Sequence, residues 1–175
     1  MRAASSITAA TWITLSRMLG IPLLLYFLSD PTPERRWWAL GCFALSAGTD
    51  WLDGYVARRF NQISDLGKLL DPLVDKFLTI AAMLALVEMR IFAVWGVFAI
   101  IAREIGITAW RSSQTSVSGA NIWGKVKTVS QIVAIGLAIA PLPDPWPVVA
   151  QWAFWGAVAL SLWSGVVYVW PPRSS

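Results

Sequence analysis

The chain has 175 residues, of which 57% are hydrophobic and 14% are charged, and its mean hydropathy is +0.59. Soluble domains are about 45–50% apolar, so this composition indicates a membrane protein rather than a soluble one. The net charge of +4 favours anionic lipid headgroups and gives no sign of nucleic-acid binding. A single cysteine excludes an internal disulfide, and the lack of histidine restricts any metal site to other ligands.

Six apolar runs of about 20 residues follow one another, each long enough to cross a bilayer as a helix. They lie at 8–28, 37–58, 66–87, 91–110, 122–141 and 148–169. Turn-forming stretches separate several of them, namely SDPTPERR, SSQTSVSGAN and PLPDPWP. The ten-residue alternation typical of membrane barrels is absent. The chain is therefore predicted to be an all-α, polytopic membrane protein with about six transmembrane helices in a single domain, 1–175.

Basic residues are distributed unevenly over the ends of these runs. With the N-terminus inside, the inner ends hold Arg2, Arg58, Arg59, Lys68, Arg111, Lys125, Lys127 and Arg173, whereas the outer ends hold Arg35, Arg36 and Arg90. The positive-inside rule then predicts that both termini are cytoplasmic. We expect the first run to be a permanent span, because Arg17 interrupts it and no clear small-residue cleavage site follows.

The segment Thr49–Lys76, TDWLDGYVARRFNQISDLGKLLDPLVDK, holds five of the ten acidic residues of the chain. Helical spacing places one group on one face of the second run, namely Asp50, Asp53, Gly54, Ala57 and Arg58. It places a second group, Gly67, Asp71 and Asp75, on one face of the third run. A short connection makes these two helices antiparallel neighbours, so the four carboxylates are predicted to meet in pairs at common depths.

Four carboxylates in a low dielectric repel one another unless a cation lies among them. Oxygen ligands without histidine indicate a hard ion, Mg²⁺ or Mn²⁺, and four acids suit two ions that clamp a phosphate. Gly54 and Gly67 allow a ligand to approach the backbone closely, and Arg58 suits a phosphate oxygen or a base. A buried salt bridge is the alternative for any single aspartate. A cation transporter is the alternative for the set, although the repeated halves typical of transporters are absent.

The pattern Asp50-x2-Asp53-Gly54-x2-Ala57-Arg58-x8-Gly67-x3-Asp71-x3-Asp75 resembles the signature of the CDP-alcohol phosphotransferases, integral membrane enzymes of phospholipid synthesis. The resemblance implies six transmembrane helices around a cytoplasm-facing polar cavity, often in a homodimer. It also implies a metal site at the four aspartates, with Asp75 as the proton acceptor. The residues that it assigns to the CDP moiety are Gly54, Ala57, Arg58, Ser64 and Gly67.

The fourth and fifth runs carry polar residues that the signature does not include. In AREIGITAWR, Arg103 flanks a face shared by Glu104, Thr108 and Arg111, and in IWGKVKTVSQ one stripe holds Gly124, Lys127, Thr128 and Gln131. The cations Arg103, Arg111 and Lys127 are predicted to converge on an anion, with Lys125 as a weaker member because it lies off the stripe. The alternatives are positive-inside anchoring for Arg111 and both lysines, and a local pair with Glu104 for Arg103.

Both segments resemble phosphatidylglycerophosphate synthases, and so does ITLSRMLGIP, whose Thr14 and Arg17 are expected to close the acceptor pocket. The resemblance implies transfer of a phosphatidyl group from CDP-diacylglycerol to glycerol 3-phosphate, in a bacterial inner membrane or an equivalent organelle membrane. A sister enzyme that uses inositol phosphate or a phospholipid as acceptor stays an alternative, because the metal core is shared. Those enzymes usually carry Asn-x-Pro before the first helix, where this chain has TAAT at 8–11.

Overall fold

A computed structural model of the chain describes residues 9–60, 65–112 and 122–169, and side chains within 18–48, 76–110 and 124–167. The described residues form six α-helices and no strand. The helices are α1 (Ala9–Leu28), α2 (Pro33–Phe60), α3 (Asp65–Glu88), α4 (Val94–Ser112), α5 (Ile122–Ile139) and α6 (Trp146–Val169). Each helix coincides with one of the six predicted runs, which confirms the all-α prediction for this part of the chain.

The start of α2 shows how local sequence sets a helix boundary. Thr32 caps the helix, because its Oγ1 accepts a hydrogen bond from the Arg35 N–H at 3.3 Å and its carbonyl accepts one from the Arg36 N–H at 2.9 Å. Pro33 is the first helical residue, where its fixed φ suits the helix and its missing N–H costs nothing. The helix therefore begins four residues before the apolar run that predicted it.

The end of α3 is closed by hydrogen bonds that reach back over the last turn. The Arg90 N–H bonds to the Val87 carbonyl and the Ile91 N–H bonds to the Leu86 carbonyl, both at 2.9 Å. This is a Schellman arrangement, in which the residue after the helix adopts a left-handed conformation that favours glycine. Arg90 occupies that position with φ of 58°. An L side chain at this φ is strained, so α3 ends on an unfavourable residue.

Packing divides the chain into two compact units, Met1–Ala82 and Met83–Ser175, with the division inside α3. In the first unit α1 packs on α2, where Leu24 and Phe43 are buried. A Cβ at Gly20 would lie 2.7 Å from the Ser46 Oγ, and the Cys42 Sγ donates to the Gly20 carbonyl at 3.4 Å. Glycine at position 20 therefore permits the close approach of α1 to α2.

In the second unit α6 packs against both α4 and α5. Phe92 stacks on Phe154 with ring centroids 4.1 Å apart, and a Cβ at Gly96 would lie 2.5 Å from the end of the Phe154 ring. The Gln151 side chain donates to the Ile91 carbonyl beside this stack. On the α5 side the core consists of small and branched residues, Ala134, Ile135, Ala138 and Ile139. The single domain predicted for residues 1–175 stays a prediction.

Large apolar side chains lie on the surface of the described helices. Trp95 is 77% exposed and Trp152 is 76% exposed, and Leu19 and Leu45 are similarly open. Among the described residues one helical stretch, Trp146–Val167, is long and apolar enough to cross a membrane. Exposed apolar surface of this extent is typical of a lipid-facing or protein-facing surface. The predicted crossing by the other five helices stays a prediction.

The left-handed residue after α3 gives a stability prediction. Arg90→Gly should raise the free energy of unfolding by about 1 kcal/mol, because glycine removes the steric cost of the positive φ. Arg90→Ala is the matched control, since it removes the same side chain but keeps the Cβ, and it should give no such gain. Unfolding of the purified protein in detergent measures both. Equal stability of the two variants would contradict the strained helix end.

Candidate functional site

The predicted metal residues lie on two helices of the described backbone. Asp50 and Asp53 are one turn apart on α2, and Asp71 and Asp75 are one turn apart on α3. The helical registers that the sequence spacing requires are therefore present. The four side chains lie outside the described ones, among which no group of three potential metal ligands occurs. Their ligation stays a prediction.

The other predicted residues of the donor site fall in the same part of the chain. Gly54, Ala57 and Arg58 belong to α2, and Gly67 belongs to α3. Ser64 lies outside the described residues. Thr14 and Arg17 belong to α1 and Arg111 to α4, with their side chains outside the described ranges. Their predicted roles stay predictions.

A cluster of charged side chains joins α4 to α5. The Glu104 Oε1 accepts a hydrogen bond from the Arg103 Nη1 at 2.9 Å, and the same oxygen accepts one from the Lys127 Nζ. Arg103 and Lys127, which the sequence predicts to converge, therefore meet at one carboxylate. The contact between Arg103 and Glu104 is also the local pair that the sequence left open as the alternative for Arg103.

Helix α6 also contacts this cluster, through the Arg103 side chain. The Arg103 Nε donates to the Ser161 carbonyl at 3.0 Å, and its Nη2 donates to the Ser164 Oγ at 2.8 Å. The Ser164 hydroxyl in turn donates to the Ser161 carbonyl at 2.9 Å. A Cβ at Gly165 would lie 3.2 Å from the Arg103 Cγ, so glycine leaves the space that the arginine stem fills.

The cluster is largely removed from solvent. The exposed fractions of the side chains are 7% for Lys127, 10% for Arg103 and 16% for Glu104. Hydrogen bonds between ionised groups are about twice as strong as neutral ones, and this strength offsets part of the cost of burying the charges. Two cations and one carboxylate therefore lie together in a buried place.

Lys125, Thr108 and Thr128 are the other predicted residues of α4 and α5 whose side chains the structure describes. Lys125 is exposed. The Thr108 Oγ1 donates to the Glu104 carbonyl at 2.7 Å, and the Thr128 Oγ1 donates to the Gly124 carbonyl at 3.1 Å. Both bonds run one turn back along the same helix, a common arrangement for threonine. They fix the two hydroxyls locally, and a direct role for either stays a prediction.

The serines and glycine of α6 were not found by sequence reasoning. Ser161 and Ser164 are fully buried on a helix without a charged residue. A signal was present, because small polar residues on an otherwise apolar helix indicate hydrogen bonding to a neighbour. Among the described residues, the Ser161 Oγ and the Gln131 Nε2 are buried without a hydrogen-bond partner. Each of these two unpaired polar atoms lowers the free energy of unfolding.

Comparison with known proteins places these residues in a family. The family model described as CDP-alcohol phosphatidyltransferase matches residues 7–163, which include the aspartate segment and the charged cluster. The chain belongs to the CDP-alcohol phosphatidyltransferase family. This confirms the resemblance seen in the sequence and makes the protein a transferase.

Curated relatives of this CDP-alcohol phosphatidyltransferase align over most of its length. A CDP-diacylglycerol–glycerol-3-phosphate 3-phosphatidyltransferase of Bacillus subtilis (strain 168) is 35% identical, covering 89% of this chain and 90% of the relative. A protein of the same name from Escherichia coli (strain K12) is 36% identical, covering 94% of both chains. A cardiolipin synthase (CMP-forming) of Streptomyces coelicolor is 33% identical, covering 93% of this chain and 81% of the relative.

The family match covers only part of the charged cluster and its contacts. It contains Arg103, Glu104 and Lys127, and it ends before Ser164 and Gly165. The part of α6 that receives the arginine side chain thus extends beyond the matched residues.

The shared carboxylate gives a second stability prediction. Glu104→Gln should lower the free energy of unfolding by about 3 kcal/mol, because it removes a carboxylate that two adjacent cations share in a buried site. Lys125→Gln is the control, since it removes one charge from an exposed side chain and should change stability by less than about 0.5 kcal/mol. Denaturant unfolding of both variants in detergent is the measurement. Similar losses in the two variants would contradict the importance of the shared carboxylate.

Proposed function

We propose that this transferase moves the phosphatidyl group of CDP-diacylglycerol to the primary hydroxyl of glycerol 3-phosphate, giving phosphatidylglycerophosphate and CMP. The names of the Bacillus subtilis and Escherichia coli relatives support these substrates. The observation that carries the acceptor assignment is the buried cluster in which Arg103 and Lys127 lie together at Glu104. A phosphorylated acceptor requires cations at its phosphate, whereas an uncharged alcohol does not.

The phosphate of glycerol 3-phosphate is the group that this cluster suits. A phosphomonoester carries a charge of about −1.5 to −2 at neutral pH and offers several strong acceptor oxygens. Arg103 presents a planar guanidinium, which suits two phosphate oxygens, and Lys127 presents a compact point charge. We assign the acceptor phosphate to these two residues together with Arg111. We assign Lys125 to the entrance of the acceptor pocket, because its side chain is exposed.

The donor side of the reaction is assigned to the aspartate segment. The donor set fits Mg²⁺ or Mn²⁺, because Asp50, Asp53, Asp71 and Asp75 offer only carboxylate oxygens, in helical registers that put each pair on one face. We propose that these four residues hold two divalent ions and that Gly54, Ala57, Arg58, Ser64 and Gly67 bind the CDP moiety. Bound divalent ions would neutralise pyrophosphate charge and orient the phosphates.

The chemical step follows from these assignments. The primary hydroxyl oxygen of glycerol 3-phosphate attacks the β-phosphorus of CDP-diacylglycerol, and the hydroxyl proton passes to the Asp75 carboxylate. A bond forms between that oxygen and the phosphorus. The bond from the phosphorus to the bridging oxygen breaks, and CMP leaves with that oxygen. Arg103 and Lys127 fix the distal phosphate of the acceptor, which orients its hydroxyl for attack.

The lipid substrate requires a membrane location. We propose that all six helices cross the bilayer, that both termini and the active site face the cytoplasm, and that Thr14 and Arg17 close the acceptor pocket. Exposed apolar side chains such as Trp95 and Trp152 support contact with lipid. The uneven distribution of basic residues supports the orientation. A homodimer is proposed from the family resemblance.

A second candidate acceptor is a phospholipid such as phosphatidylglycerol. The relative named cardiolipin synthase supports it, because it aligns with this chain about as well as the other two relatives do. The charge of the acceptor separates the candidates. A phosphodiester carries a single negative charge and a phosphomonoester close to two, so the presence of two cations in the cluster favours glycerol 3-phosphate. Family membership gives no support to the cation transporter.

Competition between acceptors tests the proposed function. Purified protein with CDP-diacylglycerol and Mg²⁺ is offered glycerol 3-phosphate, inositol 1-phosphate, serine and phosphatidylglycerol together, and CMP and the lipid products are measured. Phosphatidylglycerophosphate is the expected main product. Cardiolipin or an inositol lipid as the main product would leave the donor chemistry in place and overturn the acceptor assignment.

Metal removal tests the donor assignment. Chelation of divalent ions should abolish CMP release, and added Mg²⁺ or Mn²⁺ should restore it. Asp53→Asn should lower activity by at least about 100-fold even at high metal concentration, since loss of groups that only support metal ligands already costs 10–100-fold. Asp65→Asn is the control in the same segment, because Asp65 lies outside the signature and should leave activity within about twofold of wild type. Full activity after chelation would contradict the metal site.

A further inference from the structure

The last helix contributes a shaped surface to the charged cluster. Three polar or small residues of α6 contact one side chain of α4: the Ser161 carbonyl and the Ser164 hydroxyl accept hydrogen bonds from Arg103, and Gly165 lies against its stem. Because two N–H groups of the guanidinium meet two different acceptors, both the position and the orientation of its plane are defined.

This surface is built from buried parts. Ser161 has no exposed area and Ser164 is 1% exposed, so water does not compete for their hydrogen bonds with the arginine. The Ser164 hydroxyl donates to the Ser161 carbonyl, which directs its oxygen lone pairs toward the guanidinium. At Gly165 a Cβ would lie 3.2 Å from the Arg103 Cγ and 3.3 Å from its Nε, closer than ordinary van der Waals contact. Even one methyl group here would displace the arginine.

We propose that Ser161, Ser164 and Gly165 are positioning residues for the acceptor phosphate, which act by setting the position of Arg103. This inference rests on the proposed function, in which Arg103 binds that phosphate. It makes α6 part of the acceptor site, although none of its own side chains is assigned to a substrate. The affinity for the acceptor then depends on α6, whereas the affinity for CDP-diacylglycerol does not.

Two glycines of α6 provide a matched pair of variants. Gly165→Ala adds a methyl group against Arg103, whereas Gly156→Ala adds the same group where nothing lies within 4 Å. Both changes favour the helix by a similar amount, so they differ in the contact with the arginine. Ser164→Ala is an independent variant, which removes the acceptor of the Arg103 Nη2 and adds no volume.

The measurement is steady-state CMP release, with KM determined separately for glycerol 3-phosphate and CDP-diacylglycerol. Gly165→Ala and Ser164→Ala should raise the KM for glycerol 3-phosphate by about 3- to 10-fold, because a displacement of a few tenths of an ångström weakens but does not remove the phosphate contact. The KM for CDP-diacylglycerol should stay within about twofold of wild type. Gly156→Ala should leave both constants unchanged.

The result distinguishes the inference from the proposed function. If wild-type protein forms no phosphatidylglycerophosphate, the proposed function fails and the inference fails with it. If it forms this product, but Gly165→Ala and Ser164→Ala leave the acceptor KM unchanged or raise both KM values equally, only the inference is overturned. A thermal unfolding scan accompanies each variant. Should Ser164→Ala fail to fold, Gly165→Ala decides alone, because its added methyl group favours the helix.

Discussion

The second unit depends on one carboxylate that serves two cations. Glu104 accepts hydrogen bonds from Arg103 of its own helix and from Lys127 of α5, in a place where all three side chains are largely buried. Removal of one partner from a buried ion pair costs several kcal/mol. The shared carboxylate stabilises two positive charges that lie close together between the helices. A site for a doubly charged phosphate requires the same condition.

The six helices were predictable from the sequence because their signals are local. Apolar runs of about 20 residues separated by turn residues located all of them. The boundaries were less predictable. Hydropathy placed the start of the second helix at residue 37, whereas the cap at Thr32 and Pro33 extends α2 through two arginines. It placed the start of the fourth at residue 91, whereas Arg90 and Ile91 are used to close α3.

The candidate site was predictable only in part, for a physical reason. Arg103 and Glu104 are adjacent in sequence, so their pairing could be anticipated as an alternative. Helical spacing identified Lys127 as a member of a polar stripe but not its partner, which lies 23 residues away. The contacts of Arg103 with Ser161 and Ser164 span 58 and 61 residues. They depend on how α4 packs on α6, and no local pattern encodes that packing.

The contacts between α4 and α6 also fix the two helices against sliding. Gly96 contacts Phe154, and seven residues later along both helices Arg103 contacts Ser161. Helices α4 and α6 therefore run parallel, and the two contacts lie about 10 Å apart along each helix. In the first contact the Phe154 ring lies against Gly96, and in the second the Arg103 guanidinium donates a hydrogen bond to the Ser161 carbonyl. A shift of α4 by a single turn would break both at once, so an apolar contact two turns away keeps the arginine in register with its serines.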